Sequence, residues 1–144
     1  MKKHVAKPAD HAASTAGIVL DAGALLALEK RHLKLLTDLE LAFELGLPIR
    51  IPAGALAQVW RGGPRSAPLA RVLKQPCTVV GVDERSAKEI GEFLAIVDLP
   101  KREKPDIVDA HVALVTRATR SLVWTSDPAD MTRYGIEAEF VRSL

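Results

Sequence analysis

The chain has 144 residues, of which 48% are hydrophobic and 26% are charged. These proportions fit one soluble globular domain and exclude a largely disordered protein, a collagen-like fibre and a coiled coil. The net charge is only +2, so charge alone does not single out a nucleic-acid binder. An aromatic content of 4% disfavours an extended platform of stacking rings.

The cellular compartment is suggested by cysteine usage and by the length of the apolar runs. Cys77 is the single cysteine, which excludes an intramolecular disulfide and predicts a reducing compartment, the cytoplasm. No apolar run reaches the roughly 18 uncharged residues of a membrane span, so no membrane association is expected. Residues 1–15 are predicted to form a disordered basic tail, and residues 16–144 to form a single domain.

Strand and helix patterns alternate from the first apolar run to the end of the chain. Strands are predicted at 17–20, 49–51, 78–82, 121–125 and 138–141. Helices are predicted at 22–28, 33–45, 52–61, 66–73, 106–118 and from 128 onward. A further helix, capped by Asp83, is predicted from the apolar positions Ala87, Ile90 and Leu94. Short apolar strands separated by helices predict an α/β fold: a three-layer α/β/α sandwich around a parallel sheet of four to five strands.

Acidic residues lie where this fold places ligand sites, at the carboxyl ends of the strands. Asp21 follows the first strand and Asp127 follows the fourth, while Asp106 and Asp109 begin the helix before the fourth strand. Each of them also has a purely structural explanation, because Asp is favoured at helix N-caps and in first helical turns. Both explanations stay open at this stage.

Convergence of these acids would have an electrostatic cost that a cation relieves. Two carboxylates about 4 Å apart repel by roughly 4 kcal/mol at an effective dielectric constant of 20. Such a cluster needs a raised pKa or a bound cation. A set of oxygen ligands without histidine or thiol favours Mg²⁺ or Mn²⁺.

Four segments together resemble the PIN domain family. Residues 17–28 (GIVLDAGALLAL) are similar to its opening strand and helix, and 52–61 (PAGALAQVWR) to its second-strand helix. Residues 106–113 (DIVDAHVA) and 122–127 (LVWTSD) are similar to the closing half of its site, with Asp109 and Asp127 18 residues apart. The size and layout resemble VapC toxins of type II toxin–antitoxin pairs.

The resemblance implies a metal-dependent endoribonuclease. Asp21, Asp109 and Asp127 would be the catalytic residues and would hold Mg²⁺ or Mn²⁺. Asp106, Thr125 and Ser126 would support the site. Arg61, Arg65 and the loop 101–104 are candidates for phosphate contacts, and solvated surface charge is the favoured alternative for the loop. The implied partners are an RNA substrate and a cognate antitoxin protein, and a homodimer is left open.

One departure from the family pattern leaves a second function open. Gln58 stands where the family has a glutamate, so the site would lose one negative charge. The alternative is therefore a catalytically weakened PIN-like module that binds RNA or a protein. A signalling receiver or a phosphatase is disfavoured, because no acidic pair lies at the first strand and Gly23 occupies the position of the phosphatase's second acid.

Overall fold

The computed structural model describes residues 16–101 and 103–144, so the predicted tail at 1–15 and Arg102 lie outside the described residues. Within this part of the chain five strands form one sheet: β1 (Ile18–Leu20), β2 (Ile49–Pro52), β3 (Thr78–Val80), β4 (Leu122–Thr125) and β5 (Val141–Ser143).

Seven α-helices connect the strands in the described residues: α1 (Ala22–Glu29), α2 (Leu33–Glu44), α3 (Ala53–Val59), α4 (Ala67–Leu73), α5 (Glu84–Ile96), α6 (Ile107–Thr119) and α7 (Pro128–Arg133). Two short 3₁₀ turns, Pro64–Ser66 and Ala138–Phe140, precede α4 and β5. No helix in these ranges is long and apolar enough to cross a membrane.

All neighbouring strands are parallel, and their spatial order is β3-β2-β1-β4-β5. This confirms the predicted α/β/α sandwich with a parallel central sheet. The chain moves from β1 to β2 and β3 on one side and from β4 to β5 on the other, so the order reverses between β1 and β4. In open parallel sheets the crevice outside the carboxyl ends of such a strand pair is the usual ligand site.

The core lies around the central strand. Ile18, Val19 and Leu20 of β1 are all buried, as are Val123 and Trp124 of β4. A strand covered by helices on both faces is apolar at every position rather than at alternate ones, which explains why these runs were recognisable in the sequence. The polar residues that follow β1 and β4 at the edge of the sheet are therefore attached to well-packed strands.

The edge strands differ from the prediction in extent. β5 covers Val141–Ser143 rather than 138–141, because its pairing with β4 begins at Val141 and the preceding residues form a 3₁₀ turn. β3 ends at Val80, where its pairing with Pro52 of β2 ends, and Gly81 follows. The ends of an edge strand are set by its pairing with one neighbouring strand, and that pairing leaves no local signal in the sequence.

Candidate active site

Asp21 occupies the carboxyl end of β1 and is the N-cap of α1. Its Oδ1 accepts a hydrogen bond of 2.8 Å from the Ala24 amide, and only 8% of the residue is exposed. Burial raises the pKa of the Asp21 carboxyl, while the Thr125 hydroxyl and the Ala24 amide, which donate to it, act in the opposite direction. The capping explanation is confirmed, and it leaves a carboxylate buried beside β4.

Two hydroxyls from the end of β4 join Asp21. Thr125 is fully buried, and its Oγ1 also accepts a hydrogen bond of 2.9 Å from the Asp127 amide. A Cβ placed on Gly23 would lie 2.1 Å from Ser126 Oγ and 3.3 Å from Asp21 Oδ1. The missing side chain at position 23 therefore admits the Ser126 hydroxyl to the first turn of α1, beside the Asp21 carboxylate.

The first turn of α6 contributes the next two acids. Asp106 is its N-cap, and its Oδ1 accepts hydrogen bonds from the Val108 and Asp109 amides at 2.8 and 3.0 Å. The Asp106 amide in turn donates to the hydroxyl of the buried Tyr134 at 2.9 Å. The cap thus fixes Asp109 at the third position of α6, and Tyr134 fixes the cap.

Asp109 is the most perturbed acid of the site. Its pKa is raised to about 7 by burial, by a hydrogen bond with the Asp130 carboxyl, and by the charges of Asp130, Asp106 and Asp21. We call these four residues the acid cluster. No Lys or Arg of the described ranges lies within 4.0 Å of the Asp109 carboxylate, whereas Asp130 pairs with Arg133 at 3.2 Å.

The structure thus brings together Asp21, Asp106 and Asp109 from the sequence-predicted set and adds Asp130. Asp127 follows Thr125 and Ser126 at the same end of β4; it is exposed, and its Oδ1 caps α7 by accepting from the Asp130 amide at 3.1 Å. Asp130 is the third residue of α7, so the capping arrangement that explains Asp127 also places Asp130. Its spacing of three from Asp127 was the available sequence signal for this missed residue.

Gln58 and the arginines lie on and after α3. An added Cβ on Gly54 would lie 3.1 Å from Val108 Cγ2, so the start of α3 packs against the first turn of α6. Gln58 is exposed one helical turn further on, on the same face as Gly54. Arg61 donates to the Ala57 and Trp60 carbonyl oxygens, and Arg65 pairs with Glu29 at 3.0 Å. Lys101 and Lys104 of the predicted phosphate loop are exposed.

Two tryptophans and one histidine near these elements differ in burial. Trp124 is buried, and so is His111, whose pKa is lowered by burial. Trp60 is 39% exposed. Trp60 is the C-cap of α3 with an extended backbone, so its side chain leaves the helix where the chain turns away from the core.

The donor chemistry fits a hard divalent cation, although the residues are not assembled around one. The acid cluster offers carboxylate oxygens alone, as Mg²⁺ or Mn²⁺ prefers, and the ionised form of Asp109 is disfavoured without a cation. Within residues 16–101 and 103–144, no three Asp, Glu, His or Cys side chains are already grouped as a metal site. A cavity of about 560 Å³ lies elsewhere, between α2 and α4.

Comparison with known protein families and with curated proteins returned no match for this chain.

Proposed function

We propose that this protein is a divalent-cation-dependent ribonuclease of the PIN type. The observation that carries the proposal is the acid cluster at the point where the strand order reverses. There Asp109 has a pKa near 7 because burial and three other carboxyl groups disfavour its charge. An enzyme has a reason to keep such a repulsive arrangement when a cation neutralises it during function.

Asp21, Asp109 and Asp130 are the residues proposed to hold Mg²⁺ or Mn²⁺, with Asp127 at the exposed rim. The bound cation would supply a water of lowered pKa and would offset charge on the attacked phosphodiester. Thr125 orients the Asp21 carboxylate through its hydroxyl, and Asp106 orients Asp109 through the cap of α6. Ser126 offers an exposed hydroxyl next to Asp21 for a water or a phosphate oxygen.

RNA is the proposed substrate because the resemblance implies it and because an exposed arginine follows α3, the helix that packs against the first turn of α6. Arg61 is exposed, and no carboxylate in the described part of the chain pairs with it. Such an arginine is suited to phosphate contacts that position a nucleic acid. The resemblance to VapC toxins extends the proposal to a toxin–antitoxin pair, with a cognate antitoxin as the protein partner in the cytoplasm.

A weakened, RNA-binding or protein-binding module is the second candidate, and Gln58 is the observation that favours it. An amide at this exposed position of α3 supplies an oxygen but no charge. The two candidates differ in turnover, so a cleavage assay separates them.

The test is cleavage of a mixed-sequence single-stranded RNA with Mn²⁺ or with a chelator. We expect Mn²⁺-dependent cleavage by the wild type and a loss of roughly 100-fold or more for Asp109→Asn. Asp98→Asn makes the same charge change at an exposed position outside the acid cluster and should retain cleavage. RNA binding without cleavage by the wild type would favour the second candidate.

The toxin assignment has its own readout. Expression of the wild type without an antitoxin should arrest bacterial growth, and Asp109→Asn should relieve the arrest. Growth arrest of equal strength by both proteins would contradict the assignment, because arrest would then not depend on the acid cluster.

A further inference from the structure

Trp60 is an exposed aromatic side chain that belongs neither to the hydrophobic core nor to the side chains packed against it. It is 39% exposed, and it is followed by an exposed arginine and two glycines rather than by apolar side chains. Exposed tryptophan adjoining a cation is typical of sites that recognise flat rings in charged ligands.

The backbone around Trp60 is held in one conformation. Its amide donates to the Leu56 carbonyl oxygen at 2.8 Å, which ends α3. The hydroxyl of the buried Ser66 then accepts from the Arg61 and Gly62 amides, both at 2.9 Å. Gly62 and Gly63 have φ values of 76° and 64°, which residues with a side chain rarely adopt. We call residues 60–66 the α3 corner.

The α3 corner is also tied to the rest of the fold. Arg65 reaches the Glu29 carboxylate at the end of α1, at 3.0 Å, and the Glu29 side chain is only 7% exposed. An aromatic ring on such a fixed base loses little conformational freedom when it binds a ligand, because its main chain is already ordered.

The position of the α3 corner relative to the acid cluster follows from α3. The helix contacts the first turn of α6 through Gly54, and Trp60 lies six residues further on. At 1.5 Å per residue this is about 9 Å along the helix axis, a separation that a few nucleotides of a single strand can span.

We propose that Trp60 stacks on an unpaired base of single-stranded RNA while Arg61 contacts the adjoining phosphate. This inference rests on the proposed function, since it deepens the description of the same substrate. A single stacking residue is involved, so it is compatible with the low aromatic content of the chain. Stacking requires a base that is not paired, so the ligand class is single-stranded RNA rather than a duplex.

Tryptophan emission tests the inference without any cleavage. The full-length protein is titrated with a mixed-sequence single-stranded RNA in chelator, with the duplex of the same sequence and inorganic polyphosphate as comparison ligands. Trp124 is 2% exposed, so quenching by stacking would come from Trp60. We expect quenching by the single strand alone, and no quenching in Trp60→Phe.

Affinity provides the second arm. One stacked base is worth about 1–3 kcal/mol, so Trp60→Ala should raise the Kd roughly 5- to 150-fold, with a smaller rise in Trp60→Phe. Leu33→Ala, which truncates a 78% exposed apolar side chain on α2, should leave the Kd unchanged. Unchanged emission at saturating RNA, or an unchanged Kd in Trp60→Ala, would overturn the inference.

The outcomes also separate this inference from the proposed function. Quenching and binding by a protein that never cleaves RNA with Mn²⁺ would retain the stacking role and reject the ribonuclease. Normal Mn²⁺-dependent cleavage with an unchanged Kd in Trp60→Ala would retain the ribonuclease and reject the stacking role. Binding of a protein partner that is lost in Trp60→Ala, with no effect on RNA, would reject the stacking role in favour of a protein interface.

Discussion

The Asp130 carboxyl raises the pKa of Asp109 through a hydrogen bond and through its charge, although the two residues lie 21 positions apart on α6 and α7, the helices before and after β4. Two carboxyl groups can share a hydrogen bond only when one of them keeps its proton. With a pKa of about 7, Asp109 is therefore protonated in part at pH 7, at the carboxyl edge of the sheet where the strand order reverses between β1 and β4.

The free energy of unfolding should decrease as pH rises, because Asp109 has a raised pKa in the folded protein. The pKa of Asp109 is about 7 in the folded protein against a usual value of 3.8, so the folded state binds more protons than the unfolded state between these values. Its contribution to the free energy of unfolding therefore falls as pH rises from about 4 to 7. His111, whose pKa is lowered by burial, has the opposite effect below its usual value.

The comparison that isolates Asp109 is urea unfolding of the wild type and Asp109→Asn without metal at pH 5 and pH 8. The His111 contribution is common to both proteins. From pH 5 to pH 8 the free energy of unfolding of Asp109→Asn should rise by about 1–2 kcal/mol relative to that of the wild type. This figure is reduced because the Asp109 side chain is partly exposed. Parallel pH profiles for the two proteins would show that Asp109 does not carry a raised pKa.

Gly23 and Ser126 should be energetically coupled. An added methyl at position 23 meets Ser126 Oγ at 2.1 Å, so Gly23→Ala should destabilise the protein and displace this hydroxyl. In a Ser126→Ala background the cost should be smaller, with a coupling of at least about 0.5 kcal/mol, measured by thermal unfolding of the four proteins.

Gly91→Ala is the matched control. Gly91 lies inside α5 with no atom within 4 Å of an added Cβ, so alanine should stabilise the helix by up to about 1 kcal/mol. Strict additivity of Gly23→Ala and Ser126→Ala would mean that the two residues do not compete for the same space.

The sequence predicted the fold because its signals are local. Apolar runs identified the buried strands, and Asp21, Asp83, Asp106 and Asp127 are the helix caps that their positions indicated. The contact between Asp109 and Asp130 was not predictable in this way, since it depends on how α7 lies against α6 after the sheet has formed. The same holds for Ser126 beside Gly23.

Tyr134 is a further residue that local patterns do not reveal, since it reaches a partner 28 residues away. Tyr134→Phe removes the acceptor of the Asp106 amide and leaves that group without its hydrogen bond. We expect a loss of about 1–2 kcal/mol in the free energy of unfolding by urea denaturation. A stability equal to that of the wild type would indicate that water replaces the hydroxyl.

Gln58→Glu should have opposite effects without and with metal. If Gln58 occupies the glutamate position of the PIN pattern, the new carboxylate adds negative charge to the acid cluster, and the melting temperature without metal should fall slightly. With Mn²⁺ the same charge should tighten binding and enlarge the metal-induced rise in melting temperature. Gln75→Glu, at an exposed position after α4, is the matched control and should change neither quantity.

A Mn²⁺-induced shift that is the same in Gln58→Glu and the wild type would place Gln58 outside the cation's reach. The correspondence of α3 with the glutamate-bearing helix of the PIN family would then be wrong. The proposal for the acid cluster does not depend on this outcome, because none of its four residues lies on α3.

Proton release on Mn²⁺ binding tests the central claim most directly, because the cation and the shared proton compete for the same carboxylates. Calorimetric titration in two buffers of different ionisation enthalpy measures the protons released per ion bound. With a pKa of about 7 for Asp109, the wild type should release about half a proton at pH 7 and close to one at pH 6. Asp109→Asn should bind Mn²⁺ more weakly and release almost none. Mn²⁺ binding without proton release in the wild type, or with equal affinity in Asp109→Asn, would contradict a cation site at the acid cluster.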